Sequence, residues 1–302
     1  MHEPDQIKTT FVTDRGLYCY KVMPFGLQNA GAAHQRLINR IFADVIGKTM
    51  EVYVDDMLVK SLLATNHVRD LREMFTILRR YKMKLNPNKC VFGVESGKFL
   101  GYIVSRRGIE ANPEKIKALL EMKSPRRVKE VQSLTGRIAA LTRFVSKATD
   151  KCQPFFKALK KTDGFEWTDE CESAFQEMKA YFGSPPFLSK PKEGETLYVY
   201  LAVSERAVSA VLVREENKVQ WPIYYVSKAL LDAETRYTEI EKLSLALVTA
   251  VKKLRPYFQA HPIAVRTEHP IDKALQKGTS TRMAIWSQEL SDTGLSSTQE
   301  RL

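Results

Sequence analysis

The 302-residue sequence predicts an α+β fold in its first part and an α/β unit in its last part, with a mostly helical region between them. Three observations support this prediction. Helical periodicity alternates with short β-rich runs up to about residue 108; helical patterns dominate from there to about residue 192; and three β-rich runs, one long helix and a fourth β-rich run follow. The chain is long enough to form two or three compact units.

The first part is predicted to contain two amphipathic helices and several short strands. A strand is expected at residues 17–23, and residues 29–45 place Leu37, Ile38 and Phe42 at helical spacing. A second helix is predicted at residues 67–81, with apolar side chains on one face and arginines elsewhere. Strands are then expected near residues 90–94 and 98–105.

Two adjacent carboxylates lie inside an apolar run, Glu51-Val52-Tyr53-Val54-Asp55-Asp56-Met57-Leu58-Val59. Residues 52–54 and 57–59 are predicted to form the two strands of a hairpin, with Asp55 and Asp56 in its tight turn. Two like charges repel each other there unless a divalent cation neutralises them, and hard oxygen ligands select Mg²⁺ or Mn²⁺. A solvated turn is the alternative, because Asp is common in hairpin turns. These residues alone leave both interpretations open.

Helix-start signals and β-rich runs organise the rest of the chain. Asn112 can cap a helix that has Pro113 at its first position, and a longer helix is expected after Pro125. Another helix is predicted around residues 171–181. Strands at 197–203, 208–213 and 221–226 then precede a helix at 238–254 and a strand at 263–267. That order fits an RNase H-like α/β fold.

Composition restricts the class of partner and compartment. The 47 Lys and Arg residues against 35 Asp and Glu give a formal charge of +12, which favours a polyanionic partner such as nucleic acid. Cys19, Cys90, Cys152 and Cys171 lie far apart, so neither a zinc site nor a disulfide framework is indicated, and we expect a reducing compartment. No apolar run is long enough to span a membrane and no signal peptide pattern opens the chain, so a soluble cytoplasmic protein without a membrane partner is expected.

Four segments resemble, in order, motifs of the reverse transcriptases found in Pol polyproteins of gypsy-like LTR retrotransposons. The run Met23-Pro24-Phe25-Gly26-Leu27-Gln28-Asn29-Ala30-Gly31-Ala32-Ala33-His34-Gln35 resembles motif B, and Tyr53-Val54-Asp55-Asp56 resembles motif C. Lys84-Leu85-Asn86-Pro87-Asn88-Lys89-Cys90 is similar to motif D, and Phe99-Leu100-Gly101-Tyr102-Ile103-Val104 is similar to the primer grip. The resemblance continues to about residue 290.

The resemblance implies a role for each of these segments. It implies that Asp55 and Asp56 are the catalytic and metal-binding residues, with Mg²⁺ or Mn²⁺ as the cofactor. Nucleotide and template contacts are implied for Phe25, Gly26 and Tyr53, and a primer grip for Phe99, Leu100, Gly101 and Tyr102. The implied partners are dNTP, RNA/DNA hybrid, single-stranded RNA and DNA template-primers and the rest of the Pol polyprotein, in a cytoplasmic virus-like particle.

The same resemblance implies a domain order. A truncated polymerase palm is expected at residues 1–108, a helical thumb at 109–150 and a connection at 151–192. An RNase H-like domain is expected at 193–290, followed by a frayed tail at 291–302. The family has a further catalytic Asp on a strand that would lie just upstream of residue 1, so we expect the chain alone to bind metal weakly and to be inactive in DNA synthesis.

The RNase H-like segment is expected to be degenerate. In active relatives four carboxylates gather two metal ions, but here Ala202 occupies the first position, Glu241 keeps the second and Glu268 replaces the third Asp. We therefore expect no RNase H cleavage. Two functional hypotheses remain from the sequence: a fragment of an RNA-directed DNA polymerase, or a non-catalytic relic that still binds nucleic acid.

Overall fold

The computed structural model describes residues 1–160, 164–184, 187–269, 271, 275, 281–291 and 298–300. The chain divides into two compact units, Met1–Leu100 and Gly101–Leu302. Within the described residues, none of the helices combines the length and the apolar character needed to cross a membrane. The mixed helix and sheet composition agrees with the predicted fold class.

The first unit is built on two hairpins and two amphipathic helices. Its elements are α1 (Glu3–Gln6), β1 (Phe11–Thr13), β2 (Gly16–Tyr18), α2 (Ala30–Ile41), β3 (Met50–Tyr53), β4 (Asp56–Val59), α3 (His67–Arg80) and β5 (Ser96–Phe99). Strands β1 and β2 pair antiparallel, as do β3 and β4. The helices pack their apolar faces over the second hairpin in one small core, which contains Ile38, Phe42, Val45, Met50, Met74 and Leu78.

Two sequence predictions for this unit were wrong in detail. The strand expected at residues 17–23 is only the short β2, which pairs with an unpredicted β1. Residues 90–94 do not form a strand, because Gly93 adopts a left-handed φ of 65° that interrupts an extended backbone. Val91, Phe92 and Val94 are consequently exposed rather than packed in a sheet.

The second unit contains a helical part and a larger sheet. Its elements are β6 (Tyr102–Ser105), β7 (Gly108–Ala111), α4 (Pro113–Leu120), α5 (Val128–Ala139), α6 (Ala148–Lys151), α7 (Gln153–Lys160), α8 (Asp169–Gly183), β8 (Phe187–Ser189), β9 (Leu197–Val203), β10 (Ala207–Glu216), β11 (Val219–Ala229), α9 (Glu239–Ala260), β12 (Ile263–Arg266), α10 (Thr281–Ser291) and β13 (Thr298–Glu300). Helix α4 begins as predicted, since the Asn112 side chain accepts a hydrogen bond from the Glu114 N–H.

The larger sheet has the strand order β11-β10-β9-β12-β13. Strands β9, β10 and β11 are antiparallel neighbours, whereas β12 runs parallel to both β9 and β13. Helix α9 buries Leu243, Leu247 and Val251 in the same core as Val199 and Leu212 of this sheet. This is the predicted order of three strands, a long helix and a fourth strand.

The helical part has its own core. Leu134 and Ile138 of α5, Phe155 of α7 and Phe175 of α8 are fully or almost fully buried there. Tyr225 of β11 packs against the same cluster, so this core extends to the larger sheet. Buried side chains therefore connect the helical part to the sheet within the second unit.

The tail prediction needs one correction. Residues 291–302 were expected to be frayed, and most of them lie outside the described residues. Thr298–Glu300, however, forms β13, in which Thr298 pairs with Ala264 of β12. The available edge of β12 provides backbone donors and acceptors for this pairing.

Candidate active site

The acidic hairpin sits at the tip of β3 and β4. Tyr53 pairs with Asp56, so the connecting turn consists of Val54 and Asp55. The sequence prediction placed both aspartates in the turn and was wrong by one residue, because the pairing makes Asp56 the first residue of β4. Both aspartate side chains are exposed, and Val54 has a left-handed φ of 51°, an unfavourable conformation for a β-branched residue.

Gln35 of α2 holds the backbone of this turn in place. Its Oε1 accepts a hydrogen bond from the Val54 N–H at 2.5 Å, and its Nε2 donates to the Val52 carbonyl oxygen at 3.3 Å. The same Nε2 lies 2.8 Å from Oδ1 of Asn39, one turn further along the helix. One side chain thus satisfies both a donor and an acceptor beside Asp55. Gln35 is the last residue of the motif B run, and the sequence alone does not predict this role.

A second backbone contact reaches Asp56 from the predicted primer grip. The Leu100 N–H donates to Oδ2 of Asp56 at 3.3 Å. Leu100 and Gly101 both have left-handed φ values, 51° and 75°, and this turn presents the amide to the carboxylate. Motif C and the primer-grip segment of the sequence resemblance therefore meet at Asp56, although 44 residues separate the two partners.

The oxygen donors of the hairpin suit a magnesium ion. Mg²⁺ in nucleotide-dependent sites is held by one or two carboxylates together with water and substrate phosphates. Asp55 and Asp56 provide two exposed carboxylates on adjacent residues. Throughout the described part of the chain, no three His, Cys, Asp or Glu side chains form a group that could hold a metal. The pair therefore fits the ion as a partial ligand set.

The other predicted contact residues differ in how far they are exposed to solvent. Phe25 is fully exposed, Tyr53 is 57% exposed, and Gly26 adopts a φ of 92° that favours glycine. Of the predicted primer-grip residues, Phe99 and Tyr102 are half-buried and Leu100 is exposed. Gly101 adopts a φ of 75°, which favours glycine; a Cβ there would also lie 2.8 Å from Nζ of Lys115, but that flexible side chain can move away.

The three predicted RNase H positions do not form a comparable site. Ala202 lies on β9 opposite Ser209 and provides no ligand atom, and Glu268 is exposed beyond the end of β12. Glu241 caps α9: its Oε2 accepts from the Thr238 N–H at 3.0 Å, while the Thr238 hydroxyl accepts from the Glu241 N–H. These residues do not fit a divalent ion.

Arg282 of α10 neutralises Glu241. Its guanidinium donates to Oε1 of Glu241 at 3.0 Å and lies 4.2 Å from the centre of the Tyr237 ring. Burial raises the pKa of Glu241, but the hydrogen bonds from Thr238 and Arg282 and the charge of Arg282 outweigh burial, so that the pKa lies below its ordinary value. Glu241 is thus already paired with a cation of the chain itself. Sequence reasoning missed Arg282, which is 41 residues from its partner.

Two protein families match separate parts of the sequence. The family described as "Reverse transcriptase (RNA-dependent DNA polymerase)" matches residues 1–104. The family described as "RNase H-like domain found in reverse transcriptase" matches residues 167–265. The first range includes the acidic hairpin, and the second includes most of the larger sheet and α9.

Relatives with similar sequences are Pol polyproteins of transposons. The chain is 34% identical over 271 residues to the retrovirus-related Pol polyprotein from transposon 297 of Drosophila melanogaster, covering 89% of this chain and 25% of that protein. It is 31% identical over 300 residues to the Pol polyprotein from transposon opus of the same organism, covering 95% of this chain and 30% of that protein. The Tf2-3 transposon polyprotein of Schizosaccharomyces pombe is 29% identical over 268 residues, which cover 88% of this chain and 20% of that protein. The chain spans about a quarter of the length of these relatives.

Solved structures of similar fold are foamy viral protease-reverse transcriptases. The structure solved in complex with RNA/DNA hybrid has a TM-score of 0.85, and it aligns with 99% of this chain and 42% of that one at 22% identity. A second structure, described as dRH and solved in complex with ds DNA, has a TM-score of 0.83. It aligns with 99% of this chain and 54% of that one, also at 22% identity. The chain belongs to the Pol polyprotein family of LTR retrotransposons and carries reverse transcriptase sequence followed by an RNase H-like domain.

Proposed function

We propose that this chain provides the catalytic carboxylates and part of the nucleic-acid grip of an RNA-directed DNA polymerase within a gypsy-like Pol polyprotein. One observation supports this most directly: Asp55 and Asp56 are exposed on a hairpin that Gln35 and the Leu100 amide hold from two sides. A solvated surface turn does not need two such restraints. The restraints suit a site in which the carboxylates must keep a fixed geometry.

The proposed reaction joins a nucleotide to a primer. The primer 3′ hydroxyl attacks the α-phosphorus of a dNTP, a new P–O bond forms, and the bond to pyrophosphate breaks. Asp55 and Asp56 would hold Mg²⁺ or Mn²⁺, which when bound activates the attacking hydroxyl and stabilises charge on the leaving group. Gln35 fixes the hairpin that carries the carboxylates, and the Leu100 amide fixes the Asp56 side chain.

The remaining roles follow the family resemblance. Phe25, Gly26 and Tyr53 are proposed to contact the nucleotide and template, and Phe99 to Tyr102 the primer end. The charge of +12 supports a nucleic-acid duplex as partner, and the structural neighbours were solved with dsDNA and RNA/DNA hybrid. Residues 109–150 are proposed to act as thumb, 151–192 as connection and 193–290 as a structural RNase H-like domain, within the virus-like particle of the intact element.

Primer extension by a chimeric enzyme tests the proposal. Residues 1–302 would replace the matching segment of an active transposon Pol protein, and Mg²⁺-dependent extension of a DNA primer on an RNA template would be measured. Asp55→Asn or Asp56→Asn should each reduce kcat at least about a hundredfold, because each removes a metal ligand. Asp44→Asn, at another exposed aspartate of the same unit, is the matched control and should have no effect. Full activity of either hairpin variant would refute the proposal.

Two negative results are expected alongside this one. The chain by itself should not extend primers, because the described residues bring no third carboxylate to Asp55 and Asp56. It should also leave the RNA strand of a hybrid intact in Mg²⁺, because Glu241 is occupied by the helix cap and Arg282. Hybrid cleavage that Glu241→Gln abolishes would show that the RNase H-like domain is catalytic after all.

A further inference from the structure

Arg143 lies at the junction between the helical part and the larger sheet of the second unit. It follows α5, and its guanidinium carbon is 5.3 Å from the ring centre of Tyr102 on β6 and 4.5 Å from that of Tyr224 on β11. Its Nη2 lies 3.5 Å from the Tyr257 hydroxyl on α9. One cation therefore contacts three tyrosines, from β6, β11 and α9. A planar guanidinium can stack on aromatic rings in a way that an ammonium group cannot.

The arrangement depends on the rings rather than on a full set of hydrogen bonds. Nε of Arg143 is buried and has no hydrogen-bond partner among the described residues. The Phe144 ring, next in sequence, lies 5.8 Å from Tyr102 and is itself fully buried. Tyr102 is thus fixed by Arg143 and Phe144 together, with Lys115 a further 5.6 Å contact on its ring.

The same junction has two further polar contacts to the larger sheet. The Thr149 N–H donates to Oγ of Ser227 on β11 at 3.1 Å, and the hydroxyl of Ser204, just after β9, donates to Asp150 at 2.6 Å. The helical segment that carries Arg143 is therefore attached to the sheet at three places. The RNase H-like sheet forms a continuous support for this segment.

We propose that Arg143 is a positioning residue for primer binding, and that the RNase H-like sheet anchors Tyr102 of the primer grip through it. The inference rests on the proposed polymerase function, and it gives the degenerate domain a defined task. Tyr102 contacts the primer end, Arg143 fixes the Tyr102 ring, and Tyr224 and Tyr257 hold Arg143. The domain then contributes to synthesis without any chemistry of its own.

Steady-state kinetics of the chimeric enzyme test this inference. Arg143→Ala should raise KM for primer–template about tenfold, the effect of losing two stacking contacts, with a much smaller change in kcat. Tyr224→Leu should act in the same direction. Tyr224→Phe keeps the ring face and is the matched control, so its KM should equal that of the wild type. Melting curves of each variant identify any that fails to fold, and the Tyr224 pair remains informative if Arg143→Ala does.

The outcomes separate this inference from the proposed function. An active chimera that depends on Asp55 but has an unchanged primer KM in Arg143→Ala would overturn only the positioning role. Equal KM values for Tyr224→Leu and Tyr224→Phe would overturn it as well. If the chimera is inactive, photo-cross-linking of a primer with a reactive 3′ end to the 302-residue chain provides the second measurement. Cross-links at residues 99–104 that Arg143→Ala removes would support the inference. Cross-links that persist in Arg143→Ala, or that are absent in the wild type, would contradict it.

Discussion

Replacement of Gln35 by Ala should loosen the acidic hairpin without unfolding the first unit. The side chain makes two hydrogen bonds to the hairpin backbone, to the Val54 N–H and the Val52 carbonyl, and both contacts are partly buried. Each such bond contributes about 1 kcal/mol net. Val54 also has an unfavourable φ of 51°, a conformation that costs about 1–3 kcal/mol and persists only where the surrounding structure holds it.

The expected effect on the Val54 amide can be estimated from these contacts. Only one of the two bonds protects that amide, so its free energy of local opening should fall by about 1 kcal/mol, which corresponds to roughly fivefold faster hydrogen exchange. Ile38 of the same helix and Phe42, the residue that follows the helix, are fully buried, and neither takes part in the Gln35 contacts to the hairpin. Their amides should keep their wild-type exchange rates.

Residue-resolved hydrogen exchange on the whole chain measures this effect. Gln35→Glu is an informative comparison, because a carboxylate still accepts from the Val54 N–H but cannot donate to Val52. It should retain protection at Val54. Asn39→Ala removes only the outer partner of Gln35 and is the matched control. Unchanged exchange at Val54 in Gln35→Ala would refute the assignment of Gln35 as the residue that holds the turn.

Three further outcomes are expected. Arg282→Ala should lower Tm by at most a few degrees at pH 7, because it removes a partly exposed ion pair that solvent screens. Because the folded-state pKa of Glu241 is below its unfolded value, this stability is present above the unfolded pKa and is lost as pH falls through the folded pKa; a deficit that persists at pH 2 would contradict the ion-pair explanation. Limited proteolysis should cut within residues 1–100 first, since that unit has the smaller core and exposes Val12, Leu17 and Phe25; first cuts within the large sheet would argue otherwise. Anisotropy titrations should show hybrid binding that weakens with salt and is indifferent to sequence, and one strongly preferred sequence would be evidence against backbone recognition.

Local signals in the sequence predicted local structure well. Asn112 and Pro113 marked the start of α4, and apolar spacing located α2, α3 and α9. The acidic hairpin was also predicted, but its turn was displaced by one residue because strand register depends on which residues pair. Near residues 90–94 an apolar run suggested a strand, and the positive φ of Gly93 prevented it.

Contacts between distant residues were not predictable from one sequence. Gln35 contacts a residue 19 positions away, Arg282 one that is 41 positions away, and Arg143 one that is 114 positions away. No periodicity or capping rule connects such pairs, because each contact depends on the packing of whole elements. The family resemblance identified Asp55, Asp56 and Glu241, whereas the residues that hold or neutralise them became visible only in the folded chain.

Iron-mediated cleavage of the polypeptide tests the proposed metal site most directly. Fe²⁺ substitutes for Mg²⁺ at carboxylate sites. With added hydrogen peroxide it is oxidised to Fe³⁺ while the peroxide splits into hydroxide and a hydroxyl radical, which cuts the backbone close to the bound ion, and added ascorbate returns the iron to Fe²⁺. Cuts are expected at two places distant in sequence, the turn at Val54 and Asp55 and the segment around Leu100, because the Leu100 amide contacts Asp56. Added Mg²⁺ should suppress both cuts, and Asp55→Asn combined with Asp56→Asn should abolish them. Cleavage elsewhere, or the same pattern in the double variant, would contradict the assignment of these aspartates as the metal-binding residues.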